Sequence, residues 1–276
     1  MRNTKFLIRI IFLFACASSV CGTVRGQNSL GLTPAMIDAD VKPGKSYVQE
    51  FTIVNNTGTR LRFRCFVNDY WYGENNERLV SRPGTQPRSA SNWVQLSPSE
   101  IVIEPRSSGV VKAVISVPES AAGGYYTIPF FEGEAADKPS EAQKNGTAAA
   151  SVVVRIGGLL MLATENKSEY NVSVSDGKIQ PPTASSPLEM QLHLKNSGTA
   201  HARVRGMFVI LDAAGKIAGR GRIEEKKFLP GQRDLLSTTW AGELGSGKFT
   251  AIVTLSYDRA GQESASLTSE IPFEIP

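Results

Sequence analysis

The sequence predicts an all-β chain, two tandem β-sandwich domains behind an N-terminal export signal. Three observations carry this. After residue 30 the apolar residues alternate with period two. Turn residues interrupt the alternation at short intervals, drawing on 25 Gly and 15 Pro. No segment shows the 3.6-residue apolar stripe of an amphipathic helix, so helix is expected to be nearly absent. With 276 residues, 41% hydrophobic and 20% charged, the chain can fill two cores and is too apolar for disorder.

Residues 1–26 read as a signal peptide. Arg2, Lys5 and Arg9 are basic, Phe6 to Ala15 is nearly all apolar, and small residues follow at Ala17, Ser18 and Ser19. Cleavage is expected after Gly26 or a few residues earlier. A lipoprotein signal ending at Cys16 is the rival reading, and the bulky Phe14 fits it poorly. The apolar run falls short of the ~20 residues that span a bilayer. No later segment is apolar enough to do so, and the exported chain is expected to be soluble. Four basic residues, Arg2, Lys5, Arg9 and Arg25, lie in the leader, which leaves 26 basic against 26 acidic residues. A mature chain without net charge gives no electrostatic case for nucleic acid or an anionic membrane. Cys16 and Cys21 also lie in the leader, so Cys65 is alone in the mature chain and core packing must replace an intrachain disulfide.

In residues 27–162, strands are expected over Leu30–Ile37, Tyr47–Val54 and Arg60–Asp69, with a Pro43-Gly44 turn after the first and Asn55-Asn56-Thr57-Gly58 after the second. The third puts Leu61, Phe63, Cys65 and Val67 on a buried face and Arg60, Arg62 and Arg64 on a solvated one, where an anion site is the sharper reading. Tyr70 to Asn92 reads as loop. Ile101–Ile103, Val110–Val117 and Tyr125–Phe131 follow, then a hairpin loop over 134–150. Ser151–Leu162 is the longest apolar run of the mature chain, and its β-branched Val152, Val153, Val154 and Ile156 make it a strand. About seven strands is the number in an immunoglobulin-like sandwich.

Residues 163–276 repeat the pattern. Strands fit Tyr170–Val174, Leu188–Leu194, Ala202–Leu211, Lys216–Arg222, Gln232–Trp240, Lys248–Tyr257 and Ser264–Ile275. The segment Val54-Asn55-Asn56-Thr57-Gly58-Thr59 echoes Leu194-Lys195-Asn196-Ser197-Gly198-Thr199, which suggests a duplicated module.

Nothing in the sequence has the spacing of an active site. His193 and His201 have no second ligand at metal spacing. No nucleophile elbow, Walker loop or dinucleotide-binding glycine pattern occurs. Asp69, Glu74 and Glu77 share a loop with Tyr70, Trp71 and Tyr72 but form no defined acid pair. Enzyme activity, metal and cofactors are therefore not expected. Asn55, Asn145, Asn166 and Asn171 begin Asn-x-Ser/Thr triplets, which matter only on a glycosylating route.

Function is expected at a strand edge. Unpaired N–H and C=O groups there can pair with an extended partner. Ala148, Ala150, Val152, Val154 and Ile156 alternate on one face near the end of the first domain and could donate or accept a strand. The plainer reading is that this run closes the first sandwich. Tyr70, Trp71 and Tyr72 form an alternative surface patch, suited to a glycan or a protein.

Two immunoglobulin-like domains behind a signal peptide resemble the PapD-like periplasmic pilus chaperones. On Val41–Gly58, Trp93–Val117 and Gly123–Phe131 the first domain is also similar to the immunoglobulin-like module of WxL-interacting surface proteins. The first resemblance implies a non-enzymatic assembly protein, periplasmic or extracellular, that engages a secreted or surface protein subunit by edge strand and inter-domain cleft. It also implies a basic anchor pair in that cleft, for which Lys112 and Arg155 are the candidates. The alternative function is a surface adhesion or cell-wall glycan module.

Overall fold

The computed structural model describes residues 29–136, 153–183, 185–259 and 262–276. Residues 1–26, expected to be a signal peptide, with Cys16, residues 137–150 of the expected loop with Asn145, and Val152 lie outside them. The described residues hold strands and one 3₁₀ turn, Ser91–Trp93, and no α-helix.

The first sandwich contains β1 (Leu30–Thr33), β2 (Met36–Val41), β3 (Ser46–Asn55), β4 (Leu61–Tyr72), β5 (Arg78–Ser81), β6 (Val94–Ser97), β7 (Glu100–Ile103), β8 (Ser107–Ser116), β9 (Gly124–Ala135), β10 (Val154–Gly157) and β11 (Leu159–Thr164). One sheet has the order β1-β3-β8-β6. The other runs β2-β11-β9-β4-β5, with β10 also on β9 and β7 on β4. Between them the inward positions of each alternation, among them Phe51, Ile53, Phe63, Val111, Ile115, Phe131, Leu160 and Leu162, form one core. Cys65 joins it as a small apolar group.

The second sandwich contains β12 (Val172–Gln180), β13 (Leu188–Asn196), β14 (Ala202–Asp212), β15 (Ile217–Phe228), β16 (Arg233–Trp240), β17 (Gly247–Arg259) and β18 (Gln262–Ile275). Sheets β12-β13-β16 and β15-β14-β17-β18 enclose a separate core that includes Leu188, Met190, Leu192, Phe208, Phe228 and Val253.

The first sandwich differs from expectation in the short added strands β5 and β6 and at three further places. The strand expected over Leu30–Ile37 is two strands in two sheets: β1 pairs with β3, then β2 runs parallel to β11. Pro34 lies between them, and a residue without an N–H cannot continue a ladder. The apolar run ending at Leu162 is likewise divided at Gly158, where a Cβ would stand 2.7 Å from the Phe51 ring, so only glycine lets the backbone pass so close. Finally, Tyr70, Trp71 and Tyr72 are not loop. They continue β4 opposite Val80, Leu79 and Arg78 of β5.

The sequence echo is real but shifted by one residue. Asn55 ends β3, Asn196 ends β13, and both are fully buried. Each Oδ1 accepts the N–H two residues on, from Thr57 at 3.1 Å and Gly198 at 2.9 Å. Each Nδ2 donates to the carbonyl four residues on, of Thr59 at 2.9 Å and Ala200 at 2.9 Å, and to a distant strand end, at Ile103 and Phe228. Asn55, not Asn56, is therefore the counterpart of Asn196, and burial removes Asn55 from consideration as a glycan acceptor.

Candidate functional site

Strand β10 is paired on one side only. Val154 to Gly157 face Gly133 to Phe130 of β9. On the other side no strand pairs with them among the described residues: β1 of the facing sheet comes close without forming a ladder, and β2 joins the sheet only from Met36, opposite Leu159. Val153 and Val154 are 53% and 40% exposed, while Ile156 packs partly into the core. An apolar, half-paired edge is costly to leave in water and ready for an added strand.

Arg155 points to the opposite, outer face. Its guanidinium pairs with Glu132 and lies 5.5 Å from the Phe66 and Phe130 ring centres. Arg64 binds the same carboxylate at 2.8 Å and covers Phe66 at 5.1 Å. Hydrogen bonds from Arg155 and Arg64 hold the Glu132 carboxyl below its ordinary range. Arg60 and Arg62 have their own acids, Glu104 at 2.8 Å and Glu100 at 3.2 Å. The arginine stripe is thus a neutralised outer face. Lys112 lies in the other sheet, exposed on β8 and 3.7 Å from Glu50. The structure does not bring Lys112 and Arg155 together; they stand on different sheets with different partners.

The outer face of the β2-β11-β9-β4-β5 sheet is apolar where solvent would be expected. Tyr70, Tyr126, Ile128, Phe130, Leu159 and Met161 cluster there with Leu229 of the second sandwich. Phe66, Trp71 and Tyr72 pack at its margin. The alternative patch is therefore largely interior: Tyr70 is 1% exposed and Trp71 and Tyr72 are half-buried. Burial pushes the Tyr70 and Tyr126 phenols well above their usual range. The Tyr70 hydroxyl is buried without a hydrogen-bond partner.

Next to this cluster the sandwiches are joined by charge. Asp38, on the outer side of β2, meets three cationic or ring-nitrogen groups of the second sandwich. His201 Nε2 is 2.8 Å from Oδ1; Arg203 Nε donates to Oδ2 at 2.8 Å; Lys227 Nζ is 2.8 Å from Oδ2. Burial alone would raise the Asp38 pKa. The hydrogen bonds from Arg203, His201 and Lys227, with the field of His201, outweigh it and hold the carboxyl far below the usual range. His201 is buried and its Nδ1 is 3.4 Å from the Tyr126 hydroxyl. Backbones also touch. Gly124 N donates to Thr199 O at 2.8 Å, and a Cβ on Gly123 would stand 2.6 Å from that same carbonyl oxygen. In the sequence His201 belongs to no motif, and Gly123-Gly124 only precedes the strand expected over Tyr125–Phe131. Asp38 carries no sequence signal, since a lone acid in an alternating strand looks solvated.

The remaining acids are structural or solvated. Asp69 is buried and accepts from Thr85 N at 2.8 Å, Gln86 N at 2.9 Å, Ser91 Oγ at 2.5 Å and Ser89, pinning the segment after β5. Glu74 and Glu77 are exposed. His193 is exposed on β13, and no three His, Cys, Asp or Glu side chains gather at metal distance among the described residues. No helix among the described residues is long and apolar enough to cross a membrane.

No protein-family model and no curated protein matches the chain. Several solved structures do, fimbrial chaperones among them. The class 5 fimbriae chaperone CfaA is 14% identical, with a TM-score of 0.45 over 90% of this chain and 100% of its own. A chaperone–tip adhesin complex of CFA/I fimbriae gives 12%, 0.44, 88% and 98%. The SafB chaperone complex with SafA pilin of Salmonella enterica gives 10%, 0.42, 90% and 96%.

Proposed function

We propose that this chain is an exported, non-catalytic assembly protein that captures an extended segment of a secreted or surface polypeptide along β10, over the cleft between its sandwiches. The half-paired β10 edge, with Val153 and Val154 exposed beside it, carries the reading. Backbone hydrogen bonds supply affinity in strand addition, and alternating side chains supply selectivity. Burial of Tyr70 leaves little platform for a stacked sugar, so the glycan reading is the weaker one.

Photo-crosslinking in the native host tests this. A crosslinker at Val154 is expected to trap a secreted polypeptide, and one at Val48, exposed on the opposite sheet, is not. Val154→Pro is expected to abolish capture while the chain stays folded, because proline lacks a ladder donor. Equal trapping from both positions, or capture unchanged in a folded Val154→Pro chain, would remove β10 as the site.

A further inference from the structure

We infer that the second sandwich has a strand-accepting edge of its own, a slot between β18 and β12 that takes an extended, lysine-bearing segment of a partner polypeptide. The inference goes beyond the β10 reading and does not depend on it. The two sandwiches have matching sheet orders. β5-β4-β9 with β10 and β11 corresponds to β15-β14-β17-β18, and β1-β3-β8 corresponds to β12-β13-β16. The buried Asn55 and Asn196 at the ends of β3 and β13 fix the same correspondence. Strand β18 is thus the counterpart of β10 and β11. In the first sandwich β2 covers part of that edge, at Leu159–Thr164. In the second no strand does so among the described residues, and β18 pairs with β17 alone.

The slot has a defined shape and charge. Its walls are Val172–Asp176 of β12 and Leu267–Glu270 of β18. Its floor is closed where Gly177 passes under Ile271, so tightly that a Cβ there would stand 2.6 Å from the isoleucine side chain. Edge strands are usually guarded by lysine, proline or a bulge. Strand β12 is bulged between Val174 and Asp176 and carries Lys178, and β18 has Pro272, but Ser264–Ile271 holds no lysine, arginine or proline. The charged residues lining the slot are Asp176 and Glu270, both exposed and both acidic. A strand added to β18 would set alternate side chains toward half-buried Val174 and Leu267 and the others toward the two carboxylates. The fitting segment alternates small apolar residues with lysine.

Hydrogen exchange on the mature chain tests the inference, with a blocked peptide of about eight residues, the length of an ordinary strand, alternating valine or threonine with lysine. Amides of 264–271 are expected to exchange about tenfold more slowly with this peptide and to be unaffected when glutamate replaces its lysines. The double variant Asp176→Lys, Glu270→Lys is expected to reverse that preference. Val154→Pro is expected to leave the protection intact, which separates this edge from β10. Unchanged exchange at 264–271, or equal protection by both peptides, overturns the inference. So does protection that rises with protein concentration without peptide, which would assign the slot to a second copy.

Discussion

Tyr70 takes a hydroxyl into the apolar cluster between the sandwiches and leaves it without a partner. A buried, unpaired hydroxyl costs about 1–3 kcal/mol, whereas the ring itself packs well against Tyr126 at 6.2 Å. Tyr70→Phe is therefore expected to raise the unfolding free energy by about 1 kcal/mol, read as a higher denaturant midpoint at constant slope. A loss of that size would mean that the hydroxyl is bonded after all. The same scale explains the lone thiol. Burial, helped by the charge of Glu100, pushes Cys65 up to about 11, so it is a packing group at neutral pH and not a nucleophile.

At the scale of elements, the repeated asparagine turn ties a strand end to the far side of each sandwich. Asn196 Nδ2 reaches Ala200 O and Phe228 O at 2.9 and 2.8 Å, both inside the second core. Truncation would leave two buried carbonyls unbonded and a gap where the amide stood. Asn196→Ala is expected to cost about 2–4 kcal/mol in chemical denaturation, with Asn55→Ala in the same range. An effect below about 0.5 kcal/mol would show that the turn forms without it. Strand β10 illustrates the reverse case, an element paired with β9 on one side and, among the described residues, with no strand on the other, where Val153 and Val154 stay exposed.

For the molecule as a whole, the seam depends on one carboxylate. Asp38 is 10% exposed and serves His201, Arg203 and Lys227 together. Asp38→Asn would leave those groups facing a neutral amide. We expect a loss of about 2–4 kcal/mol, toward the low side of buried pairs because Arg203 and Lys227 remain about a quarter exposed. Its pH dependence has a definite sign. The folded-state pKa is lowered, so the contribution is complete above the unfolded carboxyl pKa of about 3.9 and is lost as pH falls below it. The stability difference between the native chain and Asp38→Asn should stay level from neutral pH to about pH 5 and shrink in stronger acid. A difference that already shrinks between pH 7 and 5 would place the stabilisation on another group.

The sequence by itself determined the all-β class, the approximate position of most strands, the two similar sandwiches and Cys65 as the one cysteine after residue 26. These are local properties, since alternation with period two and turn chemistry act within a few residues. Alternation separates a strand's two faces but cannot say what covers each. Tyr70, Phe130 and Asp38 occupy outer positions that a lone sandwich would give to water. Only the tertiary structure placed a second domain over that face and joined Asp38 to Arg203, 165 residues away. It also decided which edge stays open, because pairing depends on where Pro34 and Gly158 divert the chain between sheets, a long-range outcome that no window of sequence contains.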